Sequence, residues 1–354
     1  MAEKVLLKGN EAIAEAAILS GCRYFFGYPI TPQTEISAYM AKRMPKIGGV
    51  FLQAESEISA CNMVYGAAAA GARVMTSSSS PGISLKAEAI SYIAGADLPA
   101  VVVNIVRAGP GLGGIQPAQS DYHQATKGLG HGDYKMIVLA PSSVQEIINL
   151  TAEAFDLADF YRMPVMIIGD GMLGQMMEPV TFELPEGRKL PEKTWATNGT
   201  GMKRPHNVVN SLYIQPNDLE RIVLERNKKY QQIQETEAKA ETYCMEDAEY
   251  MITAYGSTAR IAKNAVDELR EQGIKAGLIR PITLWPFPEE TYKQYVGQVK
   301  AILSVEMSLG QMVDDVKLAV ESKVPVHFYG RCGGNIPYPN EIIQRMKEIA
   351  GGIA

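Results

Sequence analysis

The sequence predicts an α/β protein built from two doubly wound sheet domains, and three features of the chain support this prediction. Short β-branched or aromatic runs alternate with helical segments from the N-terminus onward. The alternation stops in a polar stretch rich in proline and charge, and then resumes until the C-terminus. Such alternation is typical of parallel sheets covered by helices, whose ligands bind at the carboxyl ends of the strands.

The first domain is predicted to span residues 1–185. Asn10 is expected to be the N-cap of a helix that stops at Gly21. The predicted strands that follow are "RYFFGY", "GVFLQ", "ARVMTS", "PAVVVNIV", "KMIVLA" and "PVMIIGD". The helices predicted between them are "ESEISACNMVYGAAAAG", "SLKAEAISYIAG" and residues 143–160. This order of elements gives one sheet whose strand ends lie at a common edge.

Residues 186–247 are predicted to connect two domains, because they begin without periodicity and continue into the polar, charged helix "NDLERIVLERNKKYQQIQETEAKAETY". A second α/β unit is predicted over residues 248–354. Its expected strands are "EYMITAYGS", "KAGLIRPI", "KAILSVEMS" and "VPVHFYG", separated by helical segments.

Composition disfavours several classes of partner. The 354 residues carry 34 Lys and Arg against 39 Asp and Glu, interspersed along the chain, so no basic face is offered to nucleic acid or an anionic membrane. No run of 18 apolar residues and no signal-peptide pattern is present, so a cytoplasmic location is expected. The cysteines are scattered singly, which argues against a disulfide framework, a zinc site or an iron–sulfur cluster held by this chain alone. They are Cys22, Cys61, Cys244 and Cys332.

Four polar segments follow predicted strands and should meet at one edge of the first sheet: "YPITP", the acids Glu55 and Glu57, "TSSSSPG" and Arg107. Each has an ordinary explanation alone. Acids in a first helical turn complement the helix dipole, serines before Pro-Gly form turns, and a single arginine often makes a surface ion pair. Their occurrence together at one edge favours a ligand site.

Taken in order, these motifs resemble a known family. Y-P-I-T-P is followed by Q-x-E-x-E-I with a glycine nine residues after the second Glu, then by T-S-S-S-S-P-G and L-P-A-V-V-V-N-I-V-R. The set resembles the thiamine-diphosphate-binding subunit of 2-oxoacid:ferredoxin oxidoreductases, most closely the 2-oxoisovalerate (3-methyl-2-oxobutanoate) members. The resemblance covers essentially the whole chain. It implies an aminopyrimidine-binding domain over residues 1–185 and a transketolase C-terminal-like domain over residues 248–354.

The resemblance assigns Glu57 to the cofactor, since Glu57 lies nine residues before Gly66 and Glu55 lies two residues too early. A carboxyl at N1′ of the aminopyrimidine favours the tautomer whose 4′-nitrogen takes the C2 proton of the thiazolium. Apolar neighbours would keep the proton on such a carboxyl, and Ile58, Val64 and residues 67–70 are expected to supply them. Glu55 is interpreted as a dipole-complementing or surface residue.

Thr31 is predicted to be held rigidly at the end of its strand, because the flanking prolines Pro29 and Pro32 restrict the backbone. The resemblance implies that Thr31 lies beside the thiazolium and the substrate, and that Arg107 pairs with the carboxylate of the 2-oxoacid, for which a planar guanidinium is suited. It also implies a cofactor surface formed by Pro29, Ile30, Thr31, Glu57, Ser79 and Ser80.

The expected substrate is a branched 2-oxoacid. Residues 108–126 contain no Lys or Arg, whereas a dicarboxylate such as 2-oxoglutarate would want a second cation. That cation could come from the other domain or from a partner chain, so 2-oxoglutarate and pyruvate remain alternatives. The expected reaction is oxidative decarboxylation to acyl-CoA and CO₂ with reduction of ferredoxin.

Gly169-Asp170-Gly171 with Asn198 imitates the motif by which thiamine enzymes bind magnesium and diphosphate. The following "QMMEPVTFELPEG" is predicted to be an extended exit from the domain, so no metal site is predicted here. The resemblance implies that a partner subunit binds the diphosphate and Mg²⁺, and that a ferredoxin-like subunit carries iron–sulfur clusters. A homodimer of this chain is also expected.

Two other functions stay open. A self-contained thiamine-dependent decarboxylase or synthase would need its own diphosphate site, which only Gly169-Asp170-Gly171 could supply. A non-enzymatic electron-transfer adaptor would not need Glu57 or Arg107 buried beside a cavity.

Overall fold

The computed structural model describes residues 4–352, which form two parallel-dominated sheets and one short two-stranded ribbon. The strands are β1 Val5–Lys8, β2 Tyr24–Gly27, β3 Val50–Gln53, β4 Val74–Ser78, β5 Ala100–Val106, β6 Ile137–Leu139, β7 Pro164–Asp170, β8 Met177–Val180, β9 Ala240–Tyr243, β10 Tyr250–Thr253, β11 Ala276–Pro281, β12 Thr283–Trp285, β13 Ala301–Glu306 and β14 Val326–Gly330.

The helices lie between these strands, together with a short 3-10 helix over Met44–Ile47. They are α1 Gly9–Leu19, α2 Thr34–Arg43, α3 Glu57–Ala69, α4 Pro81–Gly95, α5 Tyr122–Lys127, α6 Val144–Tyr161, α7 Gly171–Gln175, α8 Pro216–Thr236, α9 Gly256–Glu271, α10 Glu289–Lys293, α11 Met312–Ala319 and α12 Pro339–Ala350. None of the helices within residues 4–352 is both long enough and apolar enough to cross a membrane.

The first sheet has seven strands in the order β12-β6-β7-β5-β4-β2-β3, and every neighbouring pair except β12 with β6 is parallel. Its central strand β5 is buried along its whole length, as expected for a β-branched run covered on both faces. Ser78 lies opposite Asn104, and Val106 lies opposite Asp170. The register therefore brings the carboxyl ends of β4, β5 and β7 to one edge.

The second sheet has five strands in the order β14-β13-β10-β11-β9, with β9 antiparallel to β11. The loop before α5 joins this sheet to the first through the buried side chain of Gln119. Gln119 Nε2 donates to the carbonyl of Tyr255 at 2.9 Å, and Gln119 Oε1 accepts from Thr258 Oγ1 and from the backbone N–H of Met307. The loop is thus fixed against the ends of β10 and β13.

The predicted α/β class is confirmed, and every strand expected in the first sheet is present. The prediction for Asn10 was wrong. Lys8 precedes helix α1, and Asn10 lies inside it, where its amide is fully buried and points at the loop after β2. The side chain makes tertiary hydrogen bonds instead of a helix cap, because Asn10 Nδ2 donates to the carbonyl of Pro32 and to Glu35 Oε2, both at 2.8 Å.

Candidate active site

Glu57 is the first residue of α3 and is only 5% exposed. Ser56 positions it by capping the helix, since Ser56 Oγ accepts from the backbone N–H of Ser59 at 3.2 Å. Glu55 precedes the cap, is exposed, and accepts a hydrogen bond from Ser59 Oγ at 2.6 Å. The two acids therefore occupy different environments, and only Glu57 faces the interior.

The Glu57 carboxylate lies against the beginning of α4, where Gly82 leaves room for it. A Cβ at Gly82 would lie 2.6 Å from Glu57 Oε1 and 2.0 Å from Ser78 Oγ, so any larger residue would displace both groups. The expected apolar surroundings are only partly right. Ile58 is 48% exposed and Ala70 is exposed, whereas Val64 is buried on the same helix. Gly82 and the hydroxyl of Ser78, rather than large apolar side chains, adjoin the carboxylate.

Arg107 follows β5 and is only 7% exposed. Its Nη1 donates to the carbonyl of Thr31 at 3.0 Å and its Nη2 to the carbonyl of Leu112 at 3.2 Å. Its Nε is buried without a hydrogen-bond partner in the described part of the chain. Because a guanidinium has five N–H donors, this side chain keeps donors free for an anion while its plane is held by two backbone carbonyls.

Thr31 itself is exposed, and Pro29 and Ile30 are half-buried before it in the same loop. The loop forms a turn in which Gln33 N–H donates to the carbonyl of Ile30 at 3.1 Å. Side-chain hydrogen bonds from Asn10 to the Pro32 carbonyl and from Arg107 to the Thr31 carbonyl fix the position of this loop. Thr31 lines a depression of about 510 Å³ together with Ile115 and Gly171.

The serines from Ser77 to Ser80, the serine run, lie between the Glu57 part of the site and Arg107. Ser80 has a φ of 29°, which a non-glycine residue rarely adopts, and its hydroxyl both donates to the Arg107 carbonyl at 3.2 Å and accepts from the Arg107 N–H at 3.1 Å. Ser78 Oγ and Ser79 Oγ are buried without a partner among the described residues. Buried hydroxyls normally have hydrogen bonds, so these two are polar groups that lack an expected partner.

A cleft of about 720 Å³ opens beside Arg107 and Ser80 and extends to the second sheet at Met307 and Cys332. Asp121 also lines it, and burial raises the pKa of this carboxyl, partly offset by a hydrogen bond from Asn104 Nδ2 at 3.0 Å. Asn104 Oδ1 in turn accepts from the N–H of Ser80 at 3.1 Å. The volume is in the range of small-molecule and cofactor sites.

Asn104 and Asp121 were missed from the sequence. An amide within the β-branched run "AVVVNIV" was the available signal, since a polar side chain in a fully buried strand needs a specific partner.

Asp170 and Asn198 do not come together as a shared site. Asp170 ends β7 and caps the short helix α7, with Oδ1 accepting from the N–H groups of Met172 and Leu173. Its Oδ2 accepts from Ser257 Oγ at 2.5 Å, and burial raises the pKa of this carboxyl. Asn198 instead accepts from Arg204 in the connector. The helix after Asp170 was not expected, although the extended segment after it is present as β8.

The predicted site residues of the first sheet therefore lie on one continuous edge. Glu57, Ser78 and Gly82 form one part of it, and Ser80, Arg107 and Thr31 form the other. A buried carboxyl beside hydroxyls without partners is a donor and acceptor set that suits a ligand ring carrying a nitrogen.

Comparison with protein families gives two matches that together span most of the chain. Residues 15–251 match the family described as pyruvate flavodoxin/ferredoxin oxidoreductase, thiamine diphosphate-binding. Residues 248–342 match the pyruvate:ferredoxin oxidoreductase core domain II. The ketoisovalerate oxidoreductase subunit VorB of Methanothermobacter marburgensis is 49% identical over 98% of this chain and 98% of its own length.

Two solved structures have similar folds. The 2-oxoglutarate:ferredoxin oxidoreductase from Magnetococcus marinus, determined with 2-oxoglutarate, coenzyme A and succinyl-CoA bound, has a TM-score of 0.86 at 27% identity and matches 98% of this chain. This chain spans 65% of the length of that chain. An inactive tetramer of a split-gene transketolase has a TM-score of 0.60 at 13% identity over 97% of both chains, which supports the fold alone.

Proposed function

This chain belongs to the 2-oxoacid:ferredoxin oxidoreductase family, and we propose that it is the subunit that binds the aminopyrimidine of thiamine diphosphate and the carboxylate of a branched 2-oxoacid. The assembled enzyme would convert 2-oxoisovalerate and coenzyme A to acyl-CoA and CO₂ and reduce ferredoxin. One observation carries the proposal: buried Glu57 and buried Arg107 lie on a single edge of the sheet, joined by the serine run.

Glu57 would hydrogen-bond the ring nitrogen of the aminopyrimidine, because it is the buried acid at the edge. Ser79 and Ser80, with Pro29 and Ile30 opposite them, would form the remaining walls. When bound, thiamine diphosphate supplies a carbon nucleophile for the keto group and takes up the electrons left when CO₂ departs. This chain would bind the aminopyrimidine ring, exchange a proton with its nitrogen and orient the substrate.

Arg107 would orient the substrate by binding its carboxylate. Two of its N–H groups are committed to the carbonyls of Thr31 and Leu112, which fix the plane of the guanidinium, and the unpartnered Nε provides a free donor. A fixed planar donor set binds a carboxylate with defined orientation. The Thr31 hydroxyl, at the end of the loop that Arg107 holds, would contact the keto group.

The rest of the reaction is assigned to partner chains. The Asp170 oxygens that the sequence motif would offer to Mg²⁺ already accept hydrogen bonds from α7 and Ser257. We therefore place the diphosphate and Mg²⁺ on a second subunit and the iron–sulfur clusters on a ferredoxin-like subunit that passes electrons to ferredoxin. A homodimer of this chain within a cytoplasmic complex completes the proposal.

A branched substrate is supported by two observations. The 49% identical relative is named for ketoisovalerate. The segment from residue 108 to residue 126, which lines much of the cleft after Arg107, contains no Lys or Arg to bind a second carboxylate.

The assembled complex is expected to use 2-oxoisovalerate with a higher kcat/KM than 2-oxoglutarate. The physical reason is that the distal carboxylate of 2-oxoglutarate would lose hydration without gaining a counter-ion from this chain. Coenzyme-A-dependent reduction of a viologen dye measures both substrates. A higher kcat/KM for 2-oxoglutarate would contradict the proposed substrate class and assign the missing cation to a partner.

The isolated chain is expected to bind thiamine diphosphate plus Mg²⁺ only weakly and to show no turnover. It would contribute the ring-binding half of the site, without ligands for the diphosphate. Titration calorimetry of the purified chain, compared with the assembled complex, measures this. Micromolar binding to the chain alone would contradict the assignment of the diphosphate and Mg²⁺ to a partner subunit, and it would support a self-contained thiamine enzyme instead.

A further inference from the structure

Lys86 is a fully buried lysine one helical turn after Gly82, the residue that adjoins the Glu57 carboxylate. It lies in α4 and donates through Nζ to Thr76 Oγ1 at 2.7 Å. A buried ammonium is costly unless it is compensated, and a neutral hydroxyl accepts only one of its three N–H groups. The sequence did not suggest a role for it, because a lysine in a helix is most often exposed.

The position of Lys86 follows from three matched spacings. On α4, Lys86 is four residues after Gly82. On α3, Cys61 is four residues after Glu57. The members of each pair are therefore separated by about one helical turn, roughly 6 Å along the helix axis. Thr76 is two residues before Ser78 on β4, roughly 7 Å along the strand and on the same face. The upper layer therefore contains Glu57, Ser78 and Gly82, which approach one another around the position of a Gly82 Cβ.

The lower layer contains the partners of those residues. Lys86 Nζ contacts Thr76, and the Lys86 carbonyl accepts from Cys61 Sγ at 3.9 Å. The ammonium thus lies one layer below the Glu57 carboxylate, between the same two helices and the same strand.

We propose that Lys86 is a positioning residue for Glu57: its buried ammonium is the counter-charge that keeps the Glu57 carboxyl ionised. An ionised Glu57 accepts a hydrogen bond from a protonated ring nitrogen, so the proton shared between them resides on the cofactor. This inference rests on the proposed function, and it replaces the apolar environment expected from the sequence.

The electrostatics agree with this geometry. Burial lowers the pKa of Lys86 to about 8, while the negative charges of Cys61 and Glu57, the two acidic groups that face it from α3, act to raise it. Burial also raises the pKa of the Cys61 thiol to about 11, so this thiol is neutral at pH 7.

The coupling can be measured without cofactor or turnover. In the full-length chain labelled at lysine Nζ with ¹⁵N, the resonance that disappears in Lys86→Met identifies Lys86. Its titration midpoint is expected to fall by roughly one pH unit in Glu57→Gln, because an attractive neighbouring charge is lost. The matched control Glu55→Gln removes an exposed charge two residues away and should leave the midpoint unchanged.

An identical Lys86 midpoint in the wild type, Glu57→Gln and Glu55→Gln would overturn the inference while leaving the proposed function standing, since the measurement needs no cofactor. A second measurement serves if Glu57→Gln does not fold. Lys86→Met in the assembled complex should shift the acid limb of the turnover profile to higher pH, with an unchanged KM for 2-oxoisovalerate. A loss of turnover by the same factor at every pH would overturn the inference.

Thermal stability separates this role from a structural one. Methionine fills a similar volume, but removing one partner of a buried charge pair leaves the other uncompensated, so the Tm of Lys86→Met should fall below that of the wild type at pH 7, and adding Glu57→Gln should recover part of the loss. The Lys86 pKa is lowered from 10.5 to about 8, so the unfolded chain binds more protons between these values. Wild-type stability should therefore gain from rising pH in this window. No recovery of Tm when Glu57→Gln is added to Lys86→Met would indicate that Lys86 serves packing.

Discussion

Glu57→Gln in the assembled complex is expected to lower turnover by roughly 100-fold or more, the usual contribution of a positioned acid–base group. The amide is nearly isosteric with the carboxyl, so the close approach of Glu57 to Gly82 and Ser78 is kept. What would be lost, under the proposed role, is the ability to exchange a proton with the cofactor ring. Coenzyme-A-dependent viologen reduction, measured at saturating substrate, reports the change in kcat.

Glu55→Gln is the matched control, because Glu55 lies before the helix cap and is exposed. Loss of an exposed charge near a helix N-terminus has little effect on stability, and no contact with the proposed cofactor site is lost. Its turnover should stay close to that of the wild type. Equal losses in the two variants would show that helix stability, rather than proton exchange, accounts for the effect.

Arg107→Met is expected to lower kcat/KM for 2-oxoisovalerate by about 100- to 1,000-fold. The two charge-assisted hydrogen bonds that Arg107 would make to the substrate carboxylate are removed, each contributing about 1.5–2 kcal/mol. The carbonyls of Thr31 and Leu112 also lose the donors that hold their loops beside the site. Steady-state kinetics over a range of 2-oxoisovalerate concentrations measure the loss.

Two further variants define what Arg107 contributes. Arg107→Lys keeps the charge but not the planar donor set, so its loss should be intermediate. Arg221→Met removes an exposed arginine of α8 that pairs with Glu225, and kcat/KM should not change. Wild-type kcat/KM in Arg107→Met would contradict the assignment of the carboxylate to this side chain.

The parts of the fold that sequence patterns predicted are those determined locally. The run "AVVVNIV" is buried along its whole length in β5, and helices α1, α3 and α4 end at or near glycines as expected. Pairing between distant segments was not predictable in the same way. Strand β12 has three residues and follows β11 of the second sheet, yet it pairs with β6 of the first. A strand this short has no periodicity from which its partner could be inferred.

For the candidate site, the sequence predicted which motif residues would lie together but not the tertiary contacts around them. The motif order identified Glu57 and Arg107, and the structure places both in buried positions on one edge. Their roles remain predictions. Asn10 looked like a helix cap because Asn is a good cap in isolation, but a buried contact to the Pro32 carbonyl outweighed that local preference. Lys86 could not be identified, because only the tertiary stacking of α3, α4 and β4 brings it beneath Glu57.

Exchange of the thiazolium C2 proton for deuterium in the assembled complex tests the central claim most directly, because it precedes any dependence on substrate or electron acceptor. The account predicts slow exchange in Glu57→Gln and wild-type exchange in Glu55→Gln, since Glu57 alone of the two acids would meet the cofactor ring. Wild-type exchange in Glu57→Gln together with slow exchange in Glu55→Gln would contradict it, and would transfer the acid–base role to Glu55.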